Sequence, residues 1–171
     1  EMMKRNIKHL AVRDANNEVV GMITNRDLLK AQGQSPLFIV REIARAQFIN
    51  QIVQIRQQIP RLIQTLINTG AKAKNITRFL TTVSDAILQK IIGFAIDEMG
   101  PAPAKFAFIV LGSEGRKEQT LKTDQDNAII FEDVSAESRK EVVKYFLKFG
   151  EKVCNWLDQA GYALCKGGVM A

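Results

Sequence analysis

The sequence predicts a mixed α/β protein of the α+β kind, with a β-hairpin and helix, then a helical region, then a small sheet with helices. Two strand-like runs flank a turn near the start, and apolar residues recur at helical spacing through the middle. Two short apolar runs then enclose a polar loop in the last third. With 171 residues, 46% of them hydrophobic and 25% charged, the chain can bury a core of ordinary size.

Residues 1–35 predict a β-hairpin followed by a helix. The runs KHLAV and EVVGMIT are rich in β-branched and aliphatic residues, and RDANN between them is typical of a turn. We expect a helix to begin at Thr24, with Asp27 three positions later as its capping partner, and to end near Gly33 and Pro36.

Residues 36–100 predict helices that pack on one another. In the first long helix, apolar residues recur every three or four positions, which is the spacing of a buried stripe. The stripe consists of Phe48, Ile52, Ile55, Ile59, Leu62 and Leu66. We expect a kink or a break at Pro60 and a second helix capped by Asn75. The segment MGPAP that follows marks the clearest boundary in the chain.

Residues 101–171 predict a strand, a polar loop, a second strand and a helix. Both KFAFIVL and NAIIF are short and almost wholly apolar, so we expect each strand to be covered on both faces. Ser135 is expected to cap a helix that ends at Gly161, and YALCK is expected to form a further strand. The buried side of that helix is predicted to consist of Val142, Val143, Phe146, Phe149, Val153, Trp156 and Leu157.

The net charge of +6 is concentrated in the helical region. Between residues 36 and 83 there is one acid, Glu42, and the basic residues are Arg41, Arg45, Arg56, Arg61, Lys72, Lys74 and Arg78. Such a surface suits nucleic acid, nucleotides or an acidic partner protein, or is an ordinary solvated face. No aromatic residues alternate with the basic ones as stacking platforms, so nucleic acid is the least favoured of these partners.

Cysteine usage and hydropathy favour a protein of the reducing cytoplasm. Neither Cys154 and Cys165 nor the single His9 has the spacing of a zinc site or a disulfide framework. The first ten residues lack the apolar core of a signal peptide. We also expect no membrane partner, because no apolar run reaches the roughly 20 residues that span a bilayer.

The segment GSEGRKEQTLKTDQDNAII, residues 112–130, contains the first half of a candidate site. Gly112 permits a tight turn in which a phosphate can approach main-chain N–H groups. We expect Ser113 to open a short helix to about Gln119, so that its hydroxyl and the helix N-terminus bind an anion. Arg116, one turn further on, can add a charge-assisted contact.

The second half of the candidate site is the aspartate pair in TDQDN. In an extended strand Asp124 and Asp126 face the same way, and two neighbouring carboxylates repel unless a cation such as Mg²⁺ or Mn²⁺ lies between them. Alone, this pattern also fits a turn cap. Together with the preceding Gly-Ser turn it indicates nucleotidyl transfer, for which paired metal ions are commonly used. The spacing excludes a P-loop and an EF-hand.

The stretch LGSEGRKEQTLKTDQDNAIIF resembles the signature of the DNA polymerase beta-like nucleotidyltransferase superfamily. More narrowly, residues 37–171, including CKGGVMA, resemble the N-terminal family of protein-PII uridylyltransferases and their bacterial relatives. The resemblance implies that Gly112 and Ser113 hold a nucleoside triphosphate and that Asp124 and Asp126 bind the catalytic metals. It also implies UTP as the donor and a tyrosine of a PII-like regulatory protein as the acceptor.

The resemblance further implies a third carboxylate on a later strand, but residues 159–171 contain no acid. We therefore expect either that the third acid lies beyond Ala171 or that the site is degenerate. Two functions stay open: a metal-dependent nucleotidyltransferase, or an inactive module that senses nucleotide. A homodimer is compatible with the sequence.

The stretch KHLAVRDANNEVVGMITNRDLL resembles the second half of a CBS domain. In CBS pairs that bind adenine nucleotides, the positions of Thr24 and Asp27 contact phosphate and ribose. The resemblance therefore implies an adenine nucleotide site in a complete module, regulating a signal transduction protein. The capping explanation for these two residues stays open, and the chain is expected to begin within such a module.

Overall fold

The computed structural model describes residues 7–24, residue 27 and residues 36–171. The chain divides into two compact units, one up to Ile39 and one from Val40 onward. Helices account for 55% of the structure and strands for 15%, in small antiparallel sheets, so the predicted α+β class is confirmed.

Most of the described part of the first unit is the predicted β-hairpin. Strand β1 (His9–Arg13) pairs antiparallel with β2 (Val19–Thr24), and both are exposed along almost their whole length. In the turn, Asp14 Oδ1 accepts hydrogen bonds from the N–H groups of Asn16 and Glu18 at 2.9 and 3.0 Å. This aspartate-centred turn is what the composition of RDANN predicts.

Three helices make up the predicted helical region: α1 (Pro36–Arg45), α2 (Ile49–Asn68) and α3 (Ala73–Met99). Helix α2 continues through Pro60, so a break there is wrong. The prediction that Phe48 belongs to the buried stripe is also wrong, because Phe48 lies at the N-cap and is 65% exposed. The buried members of the predicted stripe are Ile52, Ile55, Ile59 and Leu62.

Helix α3 is central to the core of the second unit. It begins after Lys72 at the N-cap, so the predicted cap at Asn75 is wrong. By length and composition alone, α3 is the one helix of the described residues that could cross a membrane. This is weak support for a membrane span, because half of its most apolar window is buried within the protein, as in an ordinary core helix.

The second sheet consists of β3 (Phe106–Val110) and β4 (Asn127–Phe131), paired antiparallel, and the one-turn helix α4 (Gly112–Gly115) follows β3. The sheet packs on helix α5 (Ala136–Gln159) through sheet-to-helix ring pairs whose centroids lie 5.0 to 5.4 Å apart, and further ring pairs lie within α5 itself. The rings belong to Phe106, Phe131, Tyr145, Phe146 and Phe149. Ile130 is nevertheless 58% exposed, so the expectation that both faces of each strand are covered is wrong.

The ends of α5 follow the sequence prediction, but the segment after it does not. Ser135 Oγ accepts a hydrogen bond from the Ser138 N–H at 3.4 Å, and Gly161 follows the helix with a φ of +91°. Both predicted boundaries are confirmed. The predicted strand YALCK is wrong, because this segment forms only an isolated parallel bridge between Asp124 and Ala163.

Candidate active site

The candidate site lies where β3 ends and β4 begins, with Val110 paired to Asn127. The Leu111 N–H donates a hydrogen bond to the Asp126 carbonyl at 2.7 Å, so the strand pairing continues into the polar loop. The one-turn helix α4 (Gly112–Gly115) follows at once. It ends well before Gln119, so the longer predicted helix is wrong, and any phosphate contact here depends on single groups rather than on a helix dipole.

Gly112 makes room for one of the predicted metal-binding carboxylates. Its φ is +54°, which disfavours other residues, and a Cβ built on it would overlap Asp126 Oδ2. Ser113 Oγ lies 3.5 Å from Oγ1 of Thr123, the residue that precedes Asp124. The fold thus brings the Gly-Ser turn and the aspartate pair together, as the sequence motif requires.

Gly112→Ala is expected to destabilise the fold by about 1–3 kcal/mol, because the methyl group must displace Asp126 and the backbone conformation is disfavoured. Chemical denaturation will measure this difference. Gly93→Ala is the matched control, because Gly93 lies within α3 with an ordinary φ, and an added methyl group would have nothing within 4 Å of it. The control is expected to be neutral or stabilising, and equal losses in both variants would contradict this account of Gly112.

A third potential metal ligand lies beside the aspartate pair. One carboxylate oxygen each from Asp124 and Asp126 and the Sγ of Cys165 lie within 4.8 Å of one another. Asp124 is exposed, and the other two residues are half-buried. These donors, with the space left by Gly112, fit a divalent cation. Sequence spacing missed Cys165 because its partners precede it by a whole helix.

Hydrogen bonds fix the position of Cys165. The Gln125 N–H donates to the Ala163 carbonyl at 2.9 Å, which places the segment after α5 alongside the aspartate pair. The Cys165 N–H donates to Met170 Sδ at 3.2 Å, and its carbonyl accepts from the Gly168 N–H at 3.1 Å. The thiol therefore belongs to a tight turn anchored on the segment that carries the aspartates and leads into β4.

The segment that carries the two aspartates also anchors the core, through Gln125. It lies between the two aspartates, is only 2% exposed, and faces the interior. Its Nε2 donates to the carbonyl groups of Cys154 at 3.0 Å and Tyr162 at 2.8 Å. This amide therefore ties the site to the end of α5, and nothing in the sequence motif indicates that role.

Asn127 anchors the last residues of the chain in the same way. Its Oδ1 accepts a hydrogen bond from the Ala171 N–H at 2.9 Å, and its own N–H donates to the Val169 carbonyl at 3.2 Å. Gly150 on α5 leaves space for this segment, since a Cβ there would overlap the Ala171 backbone. Residues 163–171 thus dock on Gln125 and Asn127, which alternate with Asp124 and Asp126 along the segment that leads into β4.

Glu114, in α4, is a half-buried acid that the sequence reasoning missed. Burial, followed by the negative charges of Asp85 and Asp126, raises the pKa of its carboxyl from 4.5 to about 7. The nearby amide of Gln119 partly offsets this shift in pKa. That fully buried amide has no hydrogen bond of standard geometry among the described residues.

Glu114→Gln is expected to remove a loss of stability that accompanies rising pH. Because the pKa of Glu114 is raised in the folded protein, the folded state binds the proton more tightly than the unfolded state. The contribution of Glu114 to the free energy of unfolding should therefore fall between about pH 4.5 and pH 7 and then level off. Melting temperatures of the metal-free protein from pH 4 to pH 8 will measure this.

The melting temperature of Glu114→Gln should rise relative to that of the wild type as the pH rises. Glu141→Gln, an exposed position on α5, is the control and should run parallel to the wild type. A constant difference between Glu114→Gln and wild type at every pH would contradict the raised pKa.

Arg116 is paired within the loop. Its Nε donates to Glu118 Oε2 at 3.0 Å, and both side chains are about two thirds exposed. Exposed ion pairs contribute only about 0–1 kcal/mol. Exchanging this partner for a phosphate would therefore cost little, and the role of Arg116 in phosphate binding stays a prediction.

Arg56 is an exception within the basic helical region. It is buried, its Nη2 donates to the Leu121 carbonyl at 3.0 Å, and its guanidinium lies 5.2 Å from the centre of the Tyr162 ring. The Tyr162 hydroxyl is 2.9 Å from Ser84 Oγ. Arg56 thus braces the polar loop against the helices, rather than contributing to a solvated basic face.

Thr24 and Asp27 form the reciprocal hydrogen bonds of a helix cap. Asp27 Oδ2 accepts from the Thr24 N–H and hydroxyl at 2.9 and 2.6 Å, and the Asp27 N–H donates to Thr24 Oγ1 at 3.2 Å. This arrangement agrees with the capping explanation. Most of the helix predicted after Thr24 lies outside the described residues, and an adenine nucleotide contact stays a prediction.

Comparison with known families gives two matches. Residues 57–171 match the family described as "Putative nucleotidyltransferase DUF294". Residues 1–33 match the CBS domain. No curated protein and no solved structure matches the chain.

Proposed function

Because the chain belongs to the DUF294 nucleotidyltransferase family, we propose that it is a metal-dependent enzyme that transfers a nucleotidyl group from a nucleoside triphosphate to an acceptor hydroxyl. The observation that carries this proposal is the Asp126 carboxylate lying against the bare backbone of Gly112, with Asp124 beside it. A Gly-Ser turn next to paired carboxylates provides a triphosphate site and a cation site in contact with each other.

Each residue has a separate role in this proposal. Asp124 and Asp126 hold Mg²⁺ or Mn²⁺, and Gly112 with the Ser113 hydroxyl orients the triphosphate. Arg116 adds positive charge when it exchanges Glu118 for a phosphate oxygen. A bound divalent ion offsets the triphosphate charge and the charge that develops on the leaving pyrophosphate.

The proposed reaction exchanges one phosphorus–oxygen bond for another. The acceptor oxygen bonds to the α-phosphorus as the bond from that phosphorus to the pyrophosphate oxygen breaks, and the hydroxyl proton passes to solvent. The protein contributes alignment of the two oxygens and fixed charge around them. No covalent intermediate on the protein is required.

The signature LGSEGRKEQTLKTDQDNAIIF supports a finer proposal. Its resemblance to protein-PII uridylyltransferases favours UTP as the donor and a tyrosine of a PII-like protein as the acceptor. The CBS match at residues 1–33 supports regulation by an adenine nucleotide when the module is complete. A cytoplasmic signalling enzyme is consistent with the two cysteines, which are both free thiols.

A second function is favoured by one observation. The third group beside the two aspartates is a thiol rather than the carboxylate that the superfamily resemblance implies. A site with too little negative charge for the catalytic ions would bind nucleotide without transferring it. The chain would then be a sensor that passes nucleotide occupancy on to a partner.

Labelled nucleotides test the proposed enzyme against the sensor. The full-length protein is incubated with each α-labelled nucleoside triphosphate, Mg²⁺ or Mn²⁺, and cell extract, and covalent label on protein is measured. We expect label to be transferred, most efficiently from UTP, with release of pyrophosphate. Binding of nucleotide without transfer would overturn the enzyme and support the sensor, and absence of nucleotide binding would overturn both.

A further inference from the structure

We propose that Cys165 is a third protein ligand of the metal site, and that its thiolate shifts the site's preference toward thiophilic divalent ions such as Co²⁺ and Zn²⁺ relative to Mg²⁺. This inference rests on the proposed function only in its claim that Asp124 and Asp126 bind a divalent ion. It assigns a ligand and a metal preference that the sequence spacing did not indicate.

The geometry permits all three residues to share one ion. Metal–oxygen and metal–sulfur bonds of about 2.0–2.3 Å place ligand atoms roughly 3–4.5 Å apart. The carboxylate oxygens of Asp124 and Asp126 and the Cys165 Sγ already lie within 4.8 Å of one another. Small side-chain rotations close this difference, and the backbone can stay in place.

The backbone around Cys165 is held, so the proximity is built into the fold. The Gln125–Ala163 hydrogen bond fixes the segment beside the aspartates, and the Met170 sulfur accepts from the Cys165 N–H. Half-buried cysteines in proteins usually pack as small apolar side chains. Here the thiol instead lies next to two carboxylates, one of them exposed, which is poor surroundings for an apolar role.

The mixture of carboxylate and thiolate ligands determines which ion binds more tightly. Carboxylates suit Mg²⁺ and Mn²⁺, whereas thiolates favour softer ions such as Zn²⁺. Only the deprotonated sulfur binds, so the Cys165 S–H bond breaks as the metal–sulfur bond forms, and the proton passes to the buffer. Loss of the thiol should therefore weaken Co²⁺ and Zn²⁺ binding selectively and leave Mg²⁺ binding unchanged.

Cobalt provides a direct readout that does not depend on activity. The metal-free full-length protein is titrated with Co²⁺, and the thiolate-to-cobalt charge-transfer absorption is recorded. We expect the band in the wild type and in Cys154→Ser, which changes the other, buried cysteine, and no band in Cys165→Ser. Calorimetry should show Co²⁺ affinity lowered at least about tenfold in Cys165→Ser, since even outer-shell partners are worth that much.

A second measurement uses the wild type alone. Zn²⁺ should protect Cys165 from alkylation, as followed by mass spectrometry of its peptide, while Mg²⁺ should not. Absence of the band and of protection, or equal Co²⁺ affinity in Cys165→Ser and wild type, would overturn the inference. If Asp124→Asn loses Co²⁺ while Cys165→Ser keeps it, the metal site of the proposed function stands and the thiol ligand falls. If the wild type binds no divalent ion, both fall.

Discussion

Asp124→Asn is expected to lower kcat for nucleotidyl transfer by about a thousandfold or more while nucleotide binding stays measurable. The amide keeps the shape of the side chain but removes the negative charge that, in the proposed function, holds the metal ion. Metal-bound charge stabilisation contributes several kcal/mol to such reactions, and each 1.36 kcal/mol is a factor of about ten in rate. Under the proposed function Ser113 would contact the triphosphate in both the ground and the transition state, so Ser113→Ala should mainly raise KM.

Steady-state rates with labelled nucleotide and calorimetry of nucleotide binding will separate the two effects. Asp133→Asn is the matched control, since Asp133 is an exposed acid just past β4 and carries the same charge. It should transfer at the wild-type rate. Full activity in Asp124→Asn would remove Asp124 from the metal site, and equal loss in the Asp133 control would point to overall charge instead.

Gln125→Met is expected to destabilise the protein by about 2–4 kcal/mol. The two side chains have similar volume, so the main change is that the buried carbonyls of Cys154 and Tyr162 lose their shared donor. Leaving a buried polar group unsatisfied costs about 1–3 kcal/mol. For a chain of this length that corresponds to a fall of about 5–12 °C in melting temperature.

Thermal and urea unfolding of Gln125→Met will measure this loss. Gln159→Met, an exposed change at the end of α5, is the control and should differ from the wild type by no more than about 0.5 kcal/mol. Hydrogen exchange should also show faster exchange of the amides in residues 163–171. A Gln125→Met protein as stable as the control would mean that the buried amide is not the anchor that its hydrogen bonds indicate.

Local patterns in the sequence predicted those parts of the fold that local chemistry determines. The spacing of Ile52, Ile55 and Ile59 is enough to define the buried side of α2, because helical periodicity acts within one element. The Ser135 cap is equally local. The prediction that Phe48 is buried was wrong because the apolar spacing extends beyond the first residue of the helix. Periodicity alone does not show where a helix starts.

Parts of the site that depend on distant residues could not be predicted. The sequence predicted that Gly112 and Asp126 belong to one site because both lie in one contiguous motif. The structure adds the reason for the glycine, since the Asp126 carboxylate occupies the space that a Cβ at position 112 would need. Cys165 and Gln125 act through contacts with residues on another element, and no spacing rule covers such contacts. The segment YALCK has strand-like composition, but it forms only the single bridge between Ala163 and Asp124, a pairing that composition cannot reveal.

The segment from Asp124 to Asn127, which leads into β4, has a thermodynamic consequence for the whole site. Its two acids are the proposed cation ligands, and the side chains of Gln125 and Asn127 bind Tyr162 and Ala171 at the two ends of the segment that follows α5. Cation binding and docking of that segment therefore bias the same backbone. Such coupling is reciprocal: any factor by which a bound ion tightens the docking of this segment is the factor by which docking tightens the ion. Under the proposed function, undocking of this segment would therefore weaken metal binding by the same factor and lower the rate of transfer.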